Sequence, residues 1–302
     1  MMARIKPTKA LSDEVFRIAR AQLEEAVDIL YTERDGRDQA VHDARKLFKK
    51  QRGLYRLIRL GAMDFYRAEN VRLRDAARSL SADRDATALV EALDRMVVSN
   101  PVPESHATLL AIRQRVAARR DSISAGDDSL HERISAVIAT LERAIEALAD
   151  LDLCDKPKAA GKLLAEGVVK TYARAIEAFK KARKTGEAED WHELRKHLKY
   201  HWVHVGLLRA AWPGEMRLRA AAAKRAAEDI GEHHDLNVLL QLAENEPDII
   251  GSEAEIEQLR EATGKEIERL RARAAEACDV LLCDDPEVMQ SRIQALLRVA
   301  AA

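Results

Sequence analysis

Residues 41–59 read VHDARKLFKKQRGLYRLIR, and residues 191–209 read WHELRKHLKYHWVHVGLLR. The two stretches align without a gap at an offset of 150 residues. The matched pairs are His42 with His192, Asp43 with Glu193, Arg45 with Arg195, Lys46 with Lys196, Lys49 with Lys199 and Arg59 with Arg209. Self-similarity at a fixed offset is typical of a duplicated structural unit.

A second pair of segments supports the same duplication. LSADRDATALVEAL (80–93) matches IGEHHDLNVLLQLA (230–243) at the same offset, which places Asp85 on Asp235. We interpret both segments as helix openings. The two matches predict two similar helical bundles, residues 1–155 and 156–302, joined at CDKPKAAG (154–161) and related by a pseudo-twofold axis.

The composition favours long helices. Charged residues make up 33% of the chain and aromatic residues only 4%, and no alternating strand pattern is present. Clusters of Gly, Pro, Asp and Asn interrupt the helical patterns at 33–38, 99–105, 124–129, 154–161, 184–190, 246–252 and 283–287. The sequence therefore predicts an all-α protein made of two tandem bundles of the four-helix type.

Three helix starts have the pattern of a capping box, in which a side-chain acceptor precedes a glutamate by three residues. The pairs are Ser129 with Glu132, Asp190 with Glu193, and Ser252 with Glu255. Such an acceptor satisfies backbone N–H groups in the first turn of a helix. We expect helices to begin at these three positions.

The first repeated helix carries a cationic stripe. Residues 41–59 contain seven lysines and arginines and one acidic residue, although the whole chain has a net charge of −1. At about 100° per residue, one third of the helix circumference is almost purely cationic. Its members are His42, Arg45, Lys46, Lys49, Arg52 and Arg56, and the second copy repeats the start of the stripe with His192, Arg195, Lys196 and Lys199. Because like charges on one face repel, the pattern favours an anionic partner over a solvated outer face.

These segments resemble the CHAD (conserved histidine α-helical domain) family. The resemblance rests on VHDARKLFKKQR and WHELRKHLK, each followed about forty residues later by an RD or HD segment, and it spans nearly all of the chain. It implies two four-helix bundles with pseudo-twofold symmetry that bind inorganic polyphosphate on a basic surface, without catalysing a reaction. No triphosphate-tunnel domain accompanies the two halves in this sequence, so we expect a stand-alone member.

The family pattern falls on His42, Arg45, Lys49, Lys50 and Arg52 in the first copy, and on His192, Arg195 and Lys199 in the second. Together with the stripe, the expected polyphosphate-binding residues are His42, Arg45, Lys46, Lys49, Lys50, Arg52, Arg56, His192, Arg195, Lys196 and Lys199. The second copy departs from the pattern after Lys199, where Tyr200, His201 and Trp202 replace further cations. Arginine forks and mobile lysines both suit phosphate oxygens.

Location and partners follow from more general features. The N-terminus has no apolar run of signal-peptide length, no segment has the length and apolarity of a membrane span, and three cysteines form no CxxC pair. We therefore expect a cytoplasmic, soluble protein without a membrane partner, and polyphosphate granules are a candidate location. No cofactor is expected.

Three other functions stay open at this point. A metal could bind His197 with His201, His201 with His204, or the adjacent His233 and His234, because these spacings allow shared ligation. Nucleic acid could bind the stripe as a cross-reacting polyanion. An enzyme has the least support, since phosphate-loop and nucleophile-elbow motifs are absent from the sequence.

Overall fold

The computed structural model describes residues 3–80, 82–99, 103–125 and 129–302. Within these residues the chain is helical, with short 3₁₀ turns and no strand, so the predicted all-α class is confirmed. The helices are α1 (Leu11–Thr32), α2 (Arg37–Ile58), α3 (Met63–Ser79), α4 (Ala82–Ser99), α5 (Pro103–Ala125), α6 (Leu130–Glu146), α7 (Pro157–Thr185), α8 (Ala188–Leu207), α9 (Pro213–Asn245), α10 (Pro247–Ile250), α11 (Glu253–Leu281) and α12 (Pro286–Ala301).

The helix boundaries follow the predicted turns. Every turn cluster in the described residues coincides with a helix end, and those at 99–105 and 124–129 fall partly outside the described residues. The helix opening expected in residues 80–93 is confirmed by the start of α4 at Ala82, whereas the break after Ile58 and the 3₁₀ turn Leu208–Ala210 were not predicted. None of the helices in the described part of the chain is long and apolar enough to cross a membrane.

Only one of the three predicted capping boxes forms. Ser252 Oγ accepts the Glu255 N–H at 3.3 Å, and the Glu255 carboxylate accepts the Ser252 N–H at 2.8 Å. The other two capping boxes do not form, although α6 does begin after Ser129 as predicted. The side chain of Ser129 makes no cap hydrogen bond and accepts from Arg133 instead, because a cation one turn later competes for its oxygen. Asp190 lies inside α8, where Lys181 holds its carboxylate at 2.7 Å.

Helix pairings in the second half repeat those in the first, and one pair of helix starts lies at the predicted offset. α3 begins at residue 63 and α9 at residue 213. α1 packs on α2 and α6, as α7 packs on α8 and α12, and α2 packs on α3 as α8 packs on α9. Whether the halves form two tandem four-helix bundles about a twofold axis stays a prediction.

The two halves differ at the second matched segment. The first half has separate helices α3 and α4, whereas the second half has one continuous helix, α9. The expected helix opening at His233–His234 is therefore wrong, because IGEHHDL contains no proline and lies between strong helix formers. The side chain of Asp85, matched to Asp235, lies outside the described residues.

Two buried clusters form the core, and both contain residues from each half of the chain. The larger cluster joins α1, α2, α3 and α6 to α7, α8, α12 and the adjoining ends of α9 and α11. The smaller cluster joins α4 and α5 to α10 and the remaining parts of α9 and α11. The division at residues 155 and 156 therefore stays a prediction about the repeat in the sequence.

Close approach of α7 to α2 requires a glycine at position 167. A β-carbon at Gly167 would lie 2.0 Å from the backbone oxygen of Leu57. Because a carbonyl oxygen cannot move without breaking its helix, any larger residue must push the two helices apart.

We expect Gly167→Ala to destabilise the protein by about 3 kcal/mol, the upper end of the usual cost of overpacking. The matched control is Gly264→Ala in α11, where a β-carbon meets nothing within 4 Å. That control should gain up to about 1 kcal/mol from helix propensity. Urea unfolding of both variants measures the difference, and equal stability would contradict the close contact.

Candidate anion-binding site

The cationic stripe lies on α2, whose opposite face is buried. Val41, Ala44, Phe48 and Tyr55 pack into the larger core cluster, which fixes the orientation of the helix. On the other face, Lys46 and Lys49 are exposed, and His42, Arg45, Lys50, Arg52 and Arg56 are half-buried. The pattern of 3.6 residues per turn thus separates apolar from cationic side chains.

The repeated arginines tie each stripe helix to the next helix in the chain. Arg45 Nη1 donates a short hydrogen bond to the carbonyl of Ala77 on α3. Arg195 Nε donates to the carbonyl of Ala227 on α9 at 3.3 Å. Both the donors and the acceptors are 150 residues apart, so this contact is itself duplicated. These two arginines therefore have a structural role as well as a positive charge.

The repeated acidic residues pair with the repeated lysines. Asp43 Oδ1 lies 2.9 Å from Lys46 Nζ, and Glu193 Oε2 lies 2.8 Å from Lys196 Nζ. Both pairs are solvent-exposed, so each contributes little to stability. They do offset the charge of one lysine in each copy, which leaves other members of the stripe as the stronger anion ligands.

Helix α3 adds cations that the sequence analysis missed. Arg52 donates to Asn70 on α3 at 2.9 Å, so the two helices present one continuous face. The Arg74 guanidinium lowers the pKa of Asp75 by hydrogen bonding, and Arg78 and Arg52 lower it further. Arg74 and Arg78 are both exposed and sit four residues apart on α3. Their four-residue spacing in the sequence indicates that they share one helix face. Only the packing of α3 on α2 shows that this face lies beside the stripe.

The second copy is more enclosed than the first. The ring of His192 lies 4.3 Å from that of His234 on α9, and burial, followed by His234, lowers the pKa of His192 to about 4. Burial, followed by Arg195, lowers the pKa of Lys199 to about 8. His192 is therefore neutral at pH 7, and Lys199 loses its proton more easily than an ordinary lysine does. Helix α9 covers much of the second stripe.

Gly231 allows this enclosure. A β-carbon at Gly231 would lie 2.7 Å from Nη2 of Arg195. The missing side chain lets the guanidinium lie flat against α9 and reach the Ala227 carbonyl. The second stripe therefore packs closely against α9 because position 231 of α9 is a glycine. A helical wheel of α8 alone cannot show this contact.

The two stripe helices contact each other near their C-terminal ends. A β-carbon at Gly53 would lie 2.6 Å from Val203 Cγ1, and these residues occupy equivalent positions in the two copies. His204 Nε2 lies 3.0 Å from the Gly53 carbonyl oxygen. Arg56 extends from α2 over the Tyr200 ring of α8, 4.1 Å from its centre. The two cationic helices, α2 and α8, therefore pack directly against each other.

The remaining histidines of α8 belong mainly to the core. His201 and His204 are fully buried, and His197 lies 3.1 Å from Glu193. His233 is buried on α9 and accepts a hydrogen bond from Arg271 at 3.0 Å. Among the residues that the structure describes, no three His, Cys, Asp or Glu side chains are arranged to hold a metal ion.

Comparisons with known proteins agree with the duplicated helix. No curated protein matched the chain. The family model described as CHAD domain matches residues 17–244, about three quarters of the chain, and this range contains both cationic helices. The chain therefore belongs to the CHAD domain family.

Proposed function

We propose that the protein binds inorganic polyphosphate, without catalysing a reaction, through the cationic surface of α2 and α3, with a smaller contribution from α8. CHAD domains are associated with polyphosphate binding and metabolism. The observation that carries the proposal is the half-exposed row of cations along α2, extended by Arg74 and Arg78. A location at polyphosphate granules is part of the same proposal.

The shape of the surface suits a flexible polyanion. Between Lys46 and Arg56 the stripe runs for about 15 Å along one straight helix face. Polyphosphate has no bases and can follow this row, with one phosphate group opposite each cation or two. Arginine binds phosphate oxygens as a fork, and lysine adds a mobile point charge.

A general affinity for any phosphate backbone is the main alternative. Double-stranded DNA presents its phosphates along two curved strands, so only a few of them can meet a straight row of side chains. DNA therefore serves as the matched competitor.

We expect calorimetric titration to show binding of long-chain polyphosphate at least tenfold tighter than binding of double-stranded DNA at equal phosphate and salt concentrations. The affinity should fall steeply with salt, because displaced counterions dominate polyanion binding. Equal affinity for both polymers would reduce the surface to a general polyanion site. No binding to either polymer would contradict the proposal and would favour the alternative of metal binding by the histidines.

A further inference from the structure

A groove lies between α5 of the first half and α10 of the second half. Its volume is about 540 Å³, within the range of roughly 300–1,000 Å³ that is typical of binding clefts. Its lining residues come from these two helices and from Glu246, which links α9 to α10. Ala118 and Ile123 of α5 and Ile249 of α10 contribute apolar surface. Ile249 also packs against the smaller core cluster, so this part of the groove is fixed in position.

The two arginines that line the groove are paired with carboxylates. Arg119 binds the Glu246 carboxylate as a fork, with N–O distances of 2.6 and 2.9 Å. Arg115 Nη2 lies 2.6 Å from Glu255 Oε1, and hydrogen bonds from Arg115 and Ser252 lower the pKa of Glu255 to about 2. These pairs join the two halves of the chain, and they leave no excess positive charge in the groove.

The chain beside the groove is strongly acidic. Residues 244–257 contain six carboxylates and no lysine, arginine or histidine. Glu244, Asp248 and Glu253 are exposed, and within the part of the chain that the structure describes they have no ion-pair partner. Asp248 itself lines the groove. The groove therefore combines apolar surface with a negative rim, and its chemistry suits a basic partner.

The cationic stripe of α2 has the complementary charge. Residues 41–59 carry seven lysines and arginines against one acidic residue, an excess equal to the six carboxylates of residues 244–257. Lysine can lay its methylene stem along apolar surface while its ammonium group reaches a carboxylate at the rim. Helix α2 packs mainly on α1, α3, α7 and α8, whereas α10 packs on α5, α9 and α11. A stripe that occupies the groove must therefore come from another copy of the chain.

We propose that the groove between α5 and α10 binds the α2 stripe of a second copy, so that the protein self-associates head to tail. Such an interface joins two different surfaces, and its repetition gives open chains or rings instead of a symmetric dimer. Because the stripe is also the proposed polyphosphate site, polyphosphate should compete with the groove and dissociate the assembly. This competition rests on the proposed function, whereas the self-association does not.

The test is sedimentation velocity of the full chain over a range of protein concentrations, in salt of about 0.01 M, where charges act over about 30 Å. The average mass should rise with concentration and return to that of the monomer in salt of about 1 M. Glu244→Lys/Asp248→Lys should weaken self-association at least about tenfold, because each change replaces an attraction with a repulsion. The matched control is Glu276→Lys/Glu287→Lys, at exposed positions of α11 and α12, which should associate like wild type.

A mixing experiment shows whether the contact is head to tail. The stripe variant Lys49→Glu/Lys50→Glu keeps an intact groove, and the groove variant Glu244→Lys/Asp248→Lys keeps an intact stripe. Each variant should be monomeric alone, and an equimolar mixture should form a complex of two chains that grows no further. A mixture that stays monomeric would overturn the proposal, and so would an equal loss of association in the groove variant and its control. A monomeric wild type would also overturn it and would leave the groove to a basic segment of another protein.

A short polyphosphate, with too few phosphates to hold two copies, separates this inference from the proposed function. It should dissociate the wild-type assembly, and the groove variant should bind it at least as tightly as wild type does. Self-association that persists because no polyphosphate binds would support the docking surface and contradict the proposed function. Polyphosphate binding by a wild type that is monomeric at every concentration would support the proposed function and contradict the docking surface.

Discussion

Reversing the charges of Lys49 and Lys50 together should weaken polyphosphate binding about 100-fold at low salt, because each change removes an attraction and adds a repulsion. Lys49 is exposed and Lys50 is half-buried on α2. Neither contributes to the buried face of the helix, so circular dichroism and the melting temperature should change little. Calorimetric titration of Lys49→Glu/Lys50→Glu with long-chain polyphosphate measures the effect.

The matched control for this variant is Lys158→Glu/Lys184→Glu. Both lysines are exposed, and they lie near the two ends of α7, so the net charge changes by the same amount away from the α2 face. The control should lose only the small affinity that net charge explains. If both double variants lose the same affinity, binding follows overall charge and no local stripe exists.

Salt dependence gives a second measure of the same contact. The slope of log affinity against log salt should fall by about one for each phosphate contact that is lost. The α2 variant should therefore show a slope about two smaller than wild type, and the α7 control should keep the wild-type slope. An unchanged slope in the α2 variant would mean that Lys49 and Lys50 do not touch phosphate.

Acid should destabilise the protein in a defined window, because α8 and α9 bury neutral histidines. Burial, followed by the charge of Arg219, lowers the pKa of His201 to about 3. Burial, followed by Arg271, lowers the pKa of His233 to about 4. The unfolded chain binds protons at these sites below about pH 6.5, whereas the folded chain does not. Stability is therefore fully present above pH 6.5 and is lost as the pH falls toward 4.

As the pH falls from 7 to 5, each of these two histidines should lower the free energy of unfolding by about 2 kcal/mol. Urea unfolding at several pH values measures the loss. Three carboxyl groups act in the opposite direction, because burial raises the pKa of Glu69, Asp229 and Glu232. A single variant is therefore needed to isolate one histidine.

His201→Leu should remove about 2 kcal/mol of the difference in stability between pH 7 and pH 5. It should be tolerated at pH 7, since neither ring nitrogen of His201 has a hydrogen-bond partner. The control is His131→Leu on the exposed face of α6, which makes the same substitution outside the core. The buried-histidine explanation fails if His201→Leu keeps the full wild-type pH dependence.

Local sequence determined the fold class and most helix ends. In the described residues, glycine and proline clusters coincide with helix ends, and the Ser252 capping box forms because donors and acceptors lie within one turn. Asp190 does not cap α8 because a cation on α7, Lys181, holds its carboxylate. Ser129 does not cap α6 because Arg133, in the same helix, donates to its side-chain oxygen. A cap can therefore be lost to a partner on its own helix or on a neighbouring one.

Some features of the candidate site could likewise be predicted from local sequence, whereas others depend on packing. The periodic cations of α2, and their duplication in α8, could be identified from the sequence because 3.6-residue periodicity sets the face on which each lies. The enclosure of His192 and Lys199 by α9 could not, because it depends on the approach of another helix to α8. The unequal exposure of the two copies is therefore a property of packing.

By itself, the sequence determined an all-α chain with a cationic helix that occurs twice, since charge and apolar periodicity act over a few turns. Tertiary structure decided which of those cations stay accessible. It turned Arg45 and Arg195 toward backbone carbonyls on the next helix, and it enclosed Arg59 among other arginines at the end of α2. Burial and pairing depend on residues that are distant in the chain, so only the packed helices could fix them.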